Sequence, residues 1–172
     1  MNEAITVNPK ATLIQPGKGS TYLVLGDLYT FLAVGEDTGG TYALYEMVLQ
    51  PQSITPPHFH DQADESHYIL EGEVEYQFDG QTIVAIPGTY LHFPKGQHHS
   101  FKNIGLKSAK VLTIATPSGP EKFFAEVGQL VNLPMNPEQE RNQNRPPSSA
   151  DIEKAVEIAS TKYGIKFPAL HN

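Results

Sequence analysis

From Thr21 to about Thr116 apolar and polar residues alternate at short intervals, and turn residues interrupt them every few positions. Thr21 to Leu25 and Tyr29 to Val34 are rich in Tyr, Val, Leu and Phe, with Gly26-Asp27 between them. The turn cluster EDTGG, Glu36 to Gly40, precedes a further extended run from Thr41 to Leu49. Val74, Tyr76 and Phe78 alternate with Glu73, Glu75 and Gln77, the pattern of a half-buried strand. Asp79-Gly80, a pair favoured in two-residue hairpins, then joins that strand to QTIVAI. Tyr90 to Phe93 and Ala109 to Thr116 read as further strands. Many short strands with regular turn signals predict an all-β sandwich or barrel.

Helical periodicity appears only after the strands. Ser118-Gly119-Pro120-Glu121 has the spacing of a capping box with Pro in the first turn, and Gly128 closes the segment. Phe123, Phe124 and Val127 give that helix an apolar face. Residues 132–149 are polar and proline-bearing, which predicts a linker or surface loop. A second helix is predicted from about Ala150 to Tyr163, with Ile152, Ala155, Val156, Ala159 and Tyr163 on one stripe and Gly164 as its stop. Such a stripe docks on the body of the protein or on a partner chain.

The chain has 172 residues, enough for one domain with short appendages, and no cysteine. Disulfides, thiolate metal sites and a cysteine nucleophile are thereby excluded. No apolar run reaches signal-peptide or membrane-spanning length, so a soluble cytoplasmic protein is expected. The net charge is −7 and the 12 basic residues are scattered. Nucleic acid is not an expected partner, because no basic stripe is present to neutralise phosphates.

Six of the seven histidines lie between positions 58 and 99. His58 and His60 are two apart, so on an extended strand both face the same side. Glu65 follows five residues after His60, and His99 comes later in PKGQHH. Three imidazoles and a carboxylate suit one divalent first-row ion: iron, manganese, nickel, cobalt, copper or zinc. Glu65 and His67 share parity, so both should face inward, as should His99 and Phe101. His92, His98 and His171 read as ordinary surface or core residues and not as ligands, and His98 points opposite to His99.

With these residues in place, the sequence resembles the cupin superfamily. His58, His60, Glu65 and Gly72 match the first cupin motif, G(X)5HXH(X)3,4E(X)6G, and Gln52 stands where that motif begins with Gly. Gly88, Pro94, Gly96, His99 and Asn103 match the second, G(X)5PXG(X)2H(X)3N. The runs SHYILEGEVEYQFDG and TPSGPEKFFAEVGQ further resemble small single-domain cupins described as quercetin-dioxygenase-like. The resemblance implies a jelly-roll β-barrel, the double-stranded β-helix, followed by short C-terminal helices. It divides the chain into an N-terminal arm at 1–20, the barrel with its short capping helix at 21–128, and a linker with a docking helix at 129–172.

The resemblance also implies a function. In flavonol-cleaving cupins a metal held by three His and one Glu binds the substrate enolate, the carboxylate accepts the proton, and dioxygen attacks the activated ring. Carried over, His58, His60, Glu65 and His99 hold the ion and Glu65 is also the general base. His67 is open between a hydrogen-bond partner of the ligands, a proton shuttle, a substrate contact and a spectator. His67 and Phe101 are placed in the substrate pocket, with Phe123 and Phe124 closing one mouth. The expected partners are a small enolisable, often aromatic molecule, dioxygen and a second copy of the chain. Two rivals stand beside this reading: a metal-dependent isomerase or lyase of a sugar or keto acid, and a binding module without turnover.

Overall fold

A computed structural model describes residues 11–168. Residues 1–10, half of the N-terminal arm, and His171 lie outside the described residues. The strands are β1 Thr21–Val24, β2 Asp27–Ala33, β3 Ala43–Leu49, β4 Ile54–His60, β5 Asp64–Glu71, β6 Val74–Phe78, β7 Gln81–Ala85, β8 Tyr90–Phe93, β9 His99–Asn103, β10 Ala109–Thr116, β11 Gln129–Val131 and β12 Ile165–Lys166. The helices are α1 Gly35–Thr38, α2 Pro120–Val127, α3 Pro137–Asn144 and α4 Ser149–Lys162. One sheet runs β11-β1-β2-β3-β10-β5-β8 and the other β12-β4-β9-β6-β7, with antiparallel pairing throughout. This is an all-β jelly roll, in which inward residues of both sheets form one core.

Alternate positions meet in that core. Ala43, Tyr45, Met47 and Leu49 of β3 are buried, as are Val74 and Tyr76 of β6, Leu91 and Phe93 of β8, and Phe101 of β9. Sites that need unusual backbone angles are filled accordingly. Asp79 and Gly80 both have φ > 0, as a two-residue hairpin of this kind requires, and Gly72 and Gly88 lie in the same region. Gln52, in place of the motif glycine, adopts φ 63 all the same. Its amide donates to the Asn103 carbonyl at 3.1 Å, which helps a side-chain-bearing residue hold the left-handed turn.

The structure corrects several local expectations. The polar stretch at 132–149 contains α3, because Pro137 occupies the first helical turn rather than breaking a helix. Asn136 caps it, accepting from the amides of Glu138 and Gln139, each at 3.0 Å. The EDTGG cluster overlaps the single helical turn α1. Ser118 does not cap α2; the N-cap is Gly119, and the Glu121 carboxylate instead accepts from the Gly119 and Gly35 amides at 2.5 and 3.1 Å. Burying that charge tethers α2 to the start of α1.

Helix α4 packs on α2. Ala155, Ala159, Phe123 and Ile165 form a small cluster with Tyr163 and Phe167 at its margin, while Ile152 remains largely exposed. Glu126 of α2 receives both Lys162 and the Tyr163 hydroxyl. After Gly164, at φ 65, the chain adds β12 beside β4, with Ile165 opposite His60. Among the described residues no helix is long and apolar enough to cross a membrane.

Candidate metal centre

Strands β4, β5 and β9 bring His58, His60, Glu65 and His99 into the core, where all four are buried. His58 sits opposite His99 across the β4–β9 pair. The register of that pair shifts between Thr55 and His58, where Pro56 and Pro57 have no amide hydrogen to give a ladder. One ligand atom from each of the four residues lies within 4.8 Å of the others. Ligands held at roughly 2.0–2.2 Å around a tetrahedral ion stand about 3–4 Å apart, so the cluster is of the right size for one ion.

The hydrogen bonds decide which nitrogen each ring presents. His58 Nδ1 lies 2.9 Å from the Pro56 carbonyl and His99 Nδ1 lies 3.1 Å from the Gln97 carbonyl. A carbonyl only accepts, so both Nδ1 atoms carry a hydrogen and Nε2 is the nitrogen each ring turns to the cluster. His99 Nε2 is 3.1 Å from Glu65 Oε2, and where the ring is neutral both atoms are acceptors. Two acceptors at that distance require a proton or a cation between them. His60 Nε2 is 3.3 Å from the same oxygen, yet both its ring nitrogens are buried without an aligned hydrogen-bond partner among the described residues. Unpartnered buried polar atoms are costly, and a divalent ion bound by these four side chains would satisfy them together. The donor set of nitrogen and carboxylate oxygen fits such an ion.

Charges within the cluster are strongly coupled. Burial, reinforced by His99 and His60, pushes His58 down to about 3, so that ring is neutral and ready to ligate. Burial opposes the charged form of His60, but Glu65 outweighs it and the net shift is upward. Burial likewise opposes ionisation of Glu65, whereas His60 and His67 hold its carboxyl well below the usual range. A carboxylate kept ionised is the form a cation needs.

Glu65 has a second anchor that sequence reasoning missed. The buried Tyr45 hydroxyl donates to its Oε1 at 3.2 Å. The run from Thr41 to Leu49 gave no inward parity, because Leu44 and Val48 on one face are as apolar as Tyr45 and Met47 on the other. His67 is fully buried, with Nδ1 2.9 Å from the Tyr76 hydroxyl and Nε2 3.5 Å from Glu65 Oε2. His92 and His98 are exposed; His92 bonds Ser66 at 2.9 Å and His98 stacks on Phe59.

A cavity of about 780 Å³ opens beside the cluster. His58, His60 and Glu65 form part of its wall, together with Tyr29, Met47, Phe101, Phe123, Phe124, Ile165 and Phe167. Phe124 stacks on Tyr29 with ring centres 3.9 Å apart, which fixes the α2 side of the opening. The C-terminal end of α3 contributes Gln143 and Asn144, and the connection to α4 contributes Arg145. His67 is not on this wall, contrary to its placement in the pocket from sequence. It lies deeper, with Phe93 and Phe101 rings 5.7 and 5.3 Å away. Inward parity put it in the core, but in a filled layer beneath the cavity.

Residues 45–115, which include all four clustered residues, match the cupin domain family. Those residues form a cupin domain. Among curated relatives, this cupin is 27% identical over 116 residues to quercetin 2,3-dioxygenase of Bacillus subtilis (strain 168), covering 67% of this chain and 34% of that protein. It is 30% identical over 105 residues to polyketide synthase CurC of Streptomyces cyaneus, covering 59% of this chain and 66% of the relative. The cupin thus spans about a third of the length of the first and just under two thirds of the second. The solved structure of KdgF from Halomonas sp. superposes with a TM-score of 0.55 at 16% identity, covering 63% of this chain and 94% of that one, a likeness of fold.

Proposed function

We propose that this cupin is a metal-dependent dioxygenase acting on a flavonol-like or other enolisable aromatic molecule. The observation that carries the reading is the aromatic and aliphatic wall of a cavity that ends on His58, His60 and Glu65. A flat apolar substrate gains from burial against Tyr29, Phe101, Phe123 and Phe124, and Gln143, Asn144 and Arg145 add polar groups to the same lining. The likeness to quercetin 2,3-dioxygenase supports the same class, and a polyketide is likewise rich in enolisable carbonyls. A second copy of the chain is the expected quaternary partner.

A bound divalent ion would supply Lewis acidity toward the substrate oxygen and a site for dioxygen. The chain's own residues do the rest. His58, His60 and His99 present nitrogen ligands aimed by their strands and by the two carbonyl anchors. Glu65 Oε2 belongs to the imidazole cluster, so the oxygen left to take a substrate proton is Oε1. That atom already accepts from Tyr45 and keeps one lone pair. The apolar wall excludes water and keeps the charge of Glu65 effective.

Oxygen uptake tests the reading. The metallated protein should consume oxygen only when a flavonol or another enolisable aromatic is present. Glu65→Gln should retain part of the metal, because the amide oxygen still coordinates, and slow turnover by roughly 10²–10⁴ through loss of the base. Flavonol binding without oxygen uptake in the iron, manganese, nickel, cobalt and copper forms would refute it.

A further inference from the structure

Three tyrosines are buried in the barrel, Tyr29, Tyr45 and Tyr76. A buried phenol ordinarily finds a hydrogen-bond partner in the protein. Tyr45 meets Glu65 Oε1 at 3.2 Å, and Tyr76 meets His67 Nδ1 at 2.9 Å. Tyr29 differs. It is only 7% exposed, yet its hydroxyl has no hydrogen-bond partner among the described residues. The polar side-chain atoms sealed in the core without a partner belong to His60, Asp61, His67 and Thr113, and the Tyr29 oxygen is not one of them. The hydroxyl therefore opens into the cavity that the residue lines.

The ring is held in place although its hydroxyl is not. Tyr29 shares inward parity with Phe31 on β2, and both belong to the main core cluster. Its ring stacks on Phe124 at 3.9 Å, and the Tyr45 ring lies 6.4 Å away, centre to centre. The cavity wall holds the rings of Tyr29, Phe101, Phe123, Phe124 and Phe167, and of these Tyr29 alone carries a polar atom. Burial, followed by the charges of Asp27 and Glu65, raises the phenol well above its ordinary range, so it keeps its hydrogen. A phenol in an apolar wall without a protein acceptor adds no hydrogen bond to the fold; what it offers is a hydrogen to a ligand.

We propose that Tyr29 is a substrate-binding donor of this cavity, its hydroxyl giving a hydrogen bond to the carbonyl oxygen of an aromatic ligand. The inference rests on the aromatic-substrate reading and narrows it. An enolisable aromatic carries a carbonyl next to the carbon that bears the enol oxygen. When the enol oxygen turns toward His58, His60 and Glu65, the carbonyl enters the same apolar wall, where leaving it unpaired weakens binding. The Tyr29 hydroxyl satisfies it, and the stack on Phe124 fixes the direction of the phenol. Ligands without a carbonyl gain nothing from this hydroxyl. Tyr29 thus sets a preference for ketone-bearing aromatics over hydrocarbons of the same shape. Its part is to bind and orient, and no proton leaves it.

Equilibrium dialysis of the full chain as purified tests this with two flat probes. Flavone has the ring carbonyl and no enol, and phenylnaphthalene has a similar outline and no oxygen. Tyr29→Phe keeps the ring and removes the hydroxyl. It should weaken flavone binding by roughly 3- to 10-fold and leave phenylnaphthalene binding unchanged. The unliganded variant should melt at the wild-type temperature, because the hydroxyl has no protein partner to lose. Equal effects on both probes, no effect on either, or a melting temperature lower by several degrees would overturn the inference alone. Wild-type protein that binds neither probe would overturn the aromatic-substrate reading itself. Neither probe is enolisable, so the outcome is independent of oxygen uptake.

Discussion

Asn103 commits its whole side chain to backbone groups. Its amide nitrogen donates to the carbonyls of Leu49, Gln50 and Lys107 at 3.0, 3.1 and 2.9 Å, and its Oδ1 accepts from the Gly105 amide at 2.9 Å. The residue is fully buried at the end of the strand that carries His99, so it ties that strand to the end of β3. Asn103→Ala leaves these groups unpaired in the core and should cost about 3 kcal/mol or more. In a chain of this size that is a loss of roughly 6–12 °C in melting temperature, measurable by calorimetry. Asp27 acts on the same turn, accepting from the Gln50 amide at 2.8 Å and from the Ser53 hydroxyl at 2.5 Å. Burial outweighs these hydrogen bonds and raises its carboxyl from 3.8 to about 6. The folded state therefore favours the protonated acid. The stability tied to that proton is full below the unfolded value and is lost as pH rises through about 6. The loss is at most about 3 kcal/mol. Asp27→Asn should flatten the fall in stability between about pH 4 and 6 relative to wild type, and parallel pH profiles for the two proteins would contradict this origin. The four clustered residues were legible in the sequence because strand parity and motif spacing act locally. Tyr45 and Tyr76 were not read as partners of Glu65 and His67, because a hydroxyl's role depends on which strands become neighbours.

At the scale of elements, strands with a polar face were readable and helices without an apolar face were not. β6 showed its alternation, whereas α3 is polar nearly all round and buries only Gln139. Its start is encoded in Asn136-Pro137, a pair that also marks turns, and only the capping contacts separate the two uses. The stripe on α4 was legible, but its contact with α2 makes Ala155 and Ala159 central and leaves Ile152 outside. The short segment beyond α4 matters more for the site. β12 pairs with the ligand strand β4, and the Phe167 ring lies 6.1 Å from that of His58. Removal of residues 146–172 should therefore expose Phe123 and strip one wall from the cavity. Losing the cover of Phe123 alone is worth about 2 kcal/mol, or roughly 4–8 °C. The truncated protein should also aggregate more readily and release metal faster than the full chain. An unchanged melting temperature with unchanged metal release would show that the segment is an appendage.

For the whole molecule, the two sheets place a buried cluster of three imidazoles and one carboxylate at the inner end of an apolar cavity. The arrangement sets His99 Nε2 against Glu65 Oε2 and leaves His60 without aligned partners. A core otherwise so well packed tolerates this only if something positive sits between those groups. The proposed flavonol chemistry depends on that ion. Its presence is measured by the metal content of the protein purified from supplemented medium, beside that of His99→Ala. The account predicts close to one divalent transition ion per wild-type chain, with most of it lost in the variant. Wild-type protein that emerges metal-free and cannot be reconstituted with any of iron, manganese, nickel, cobalt, copper or zinc would contradict it.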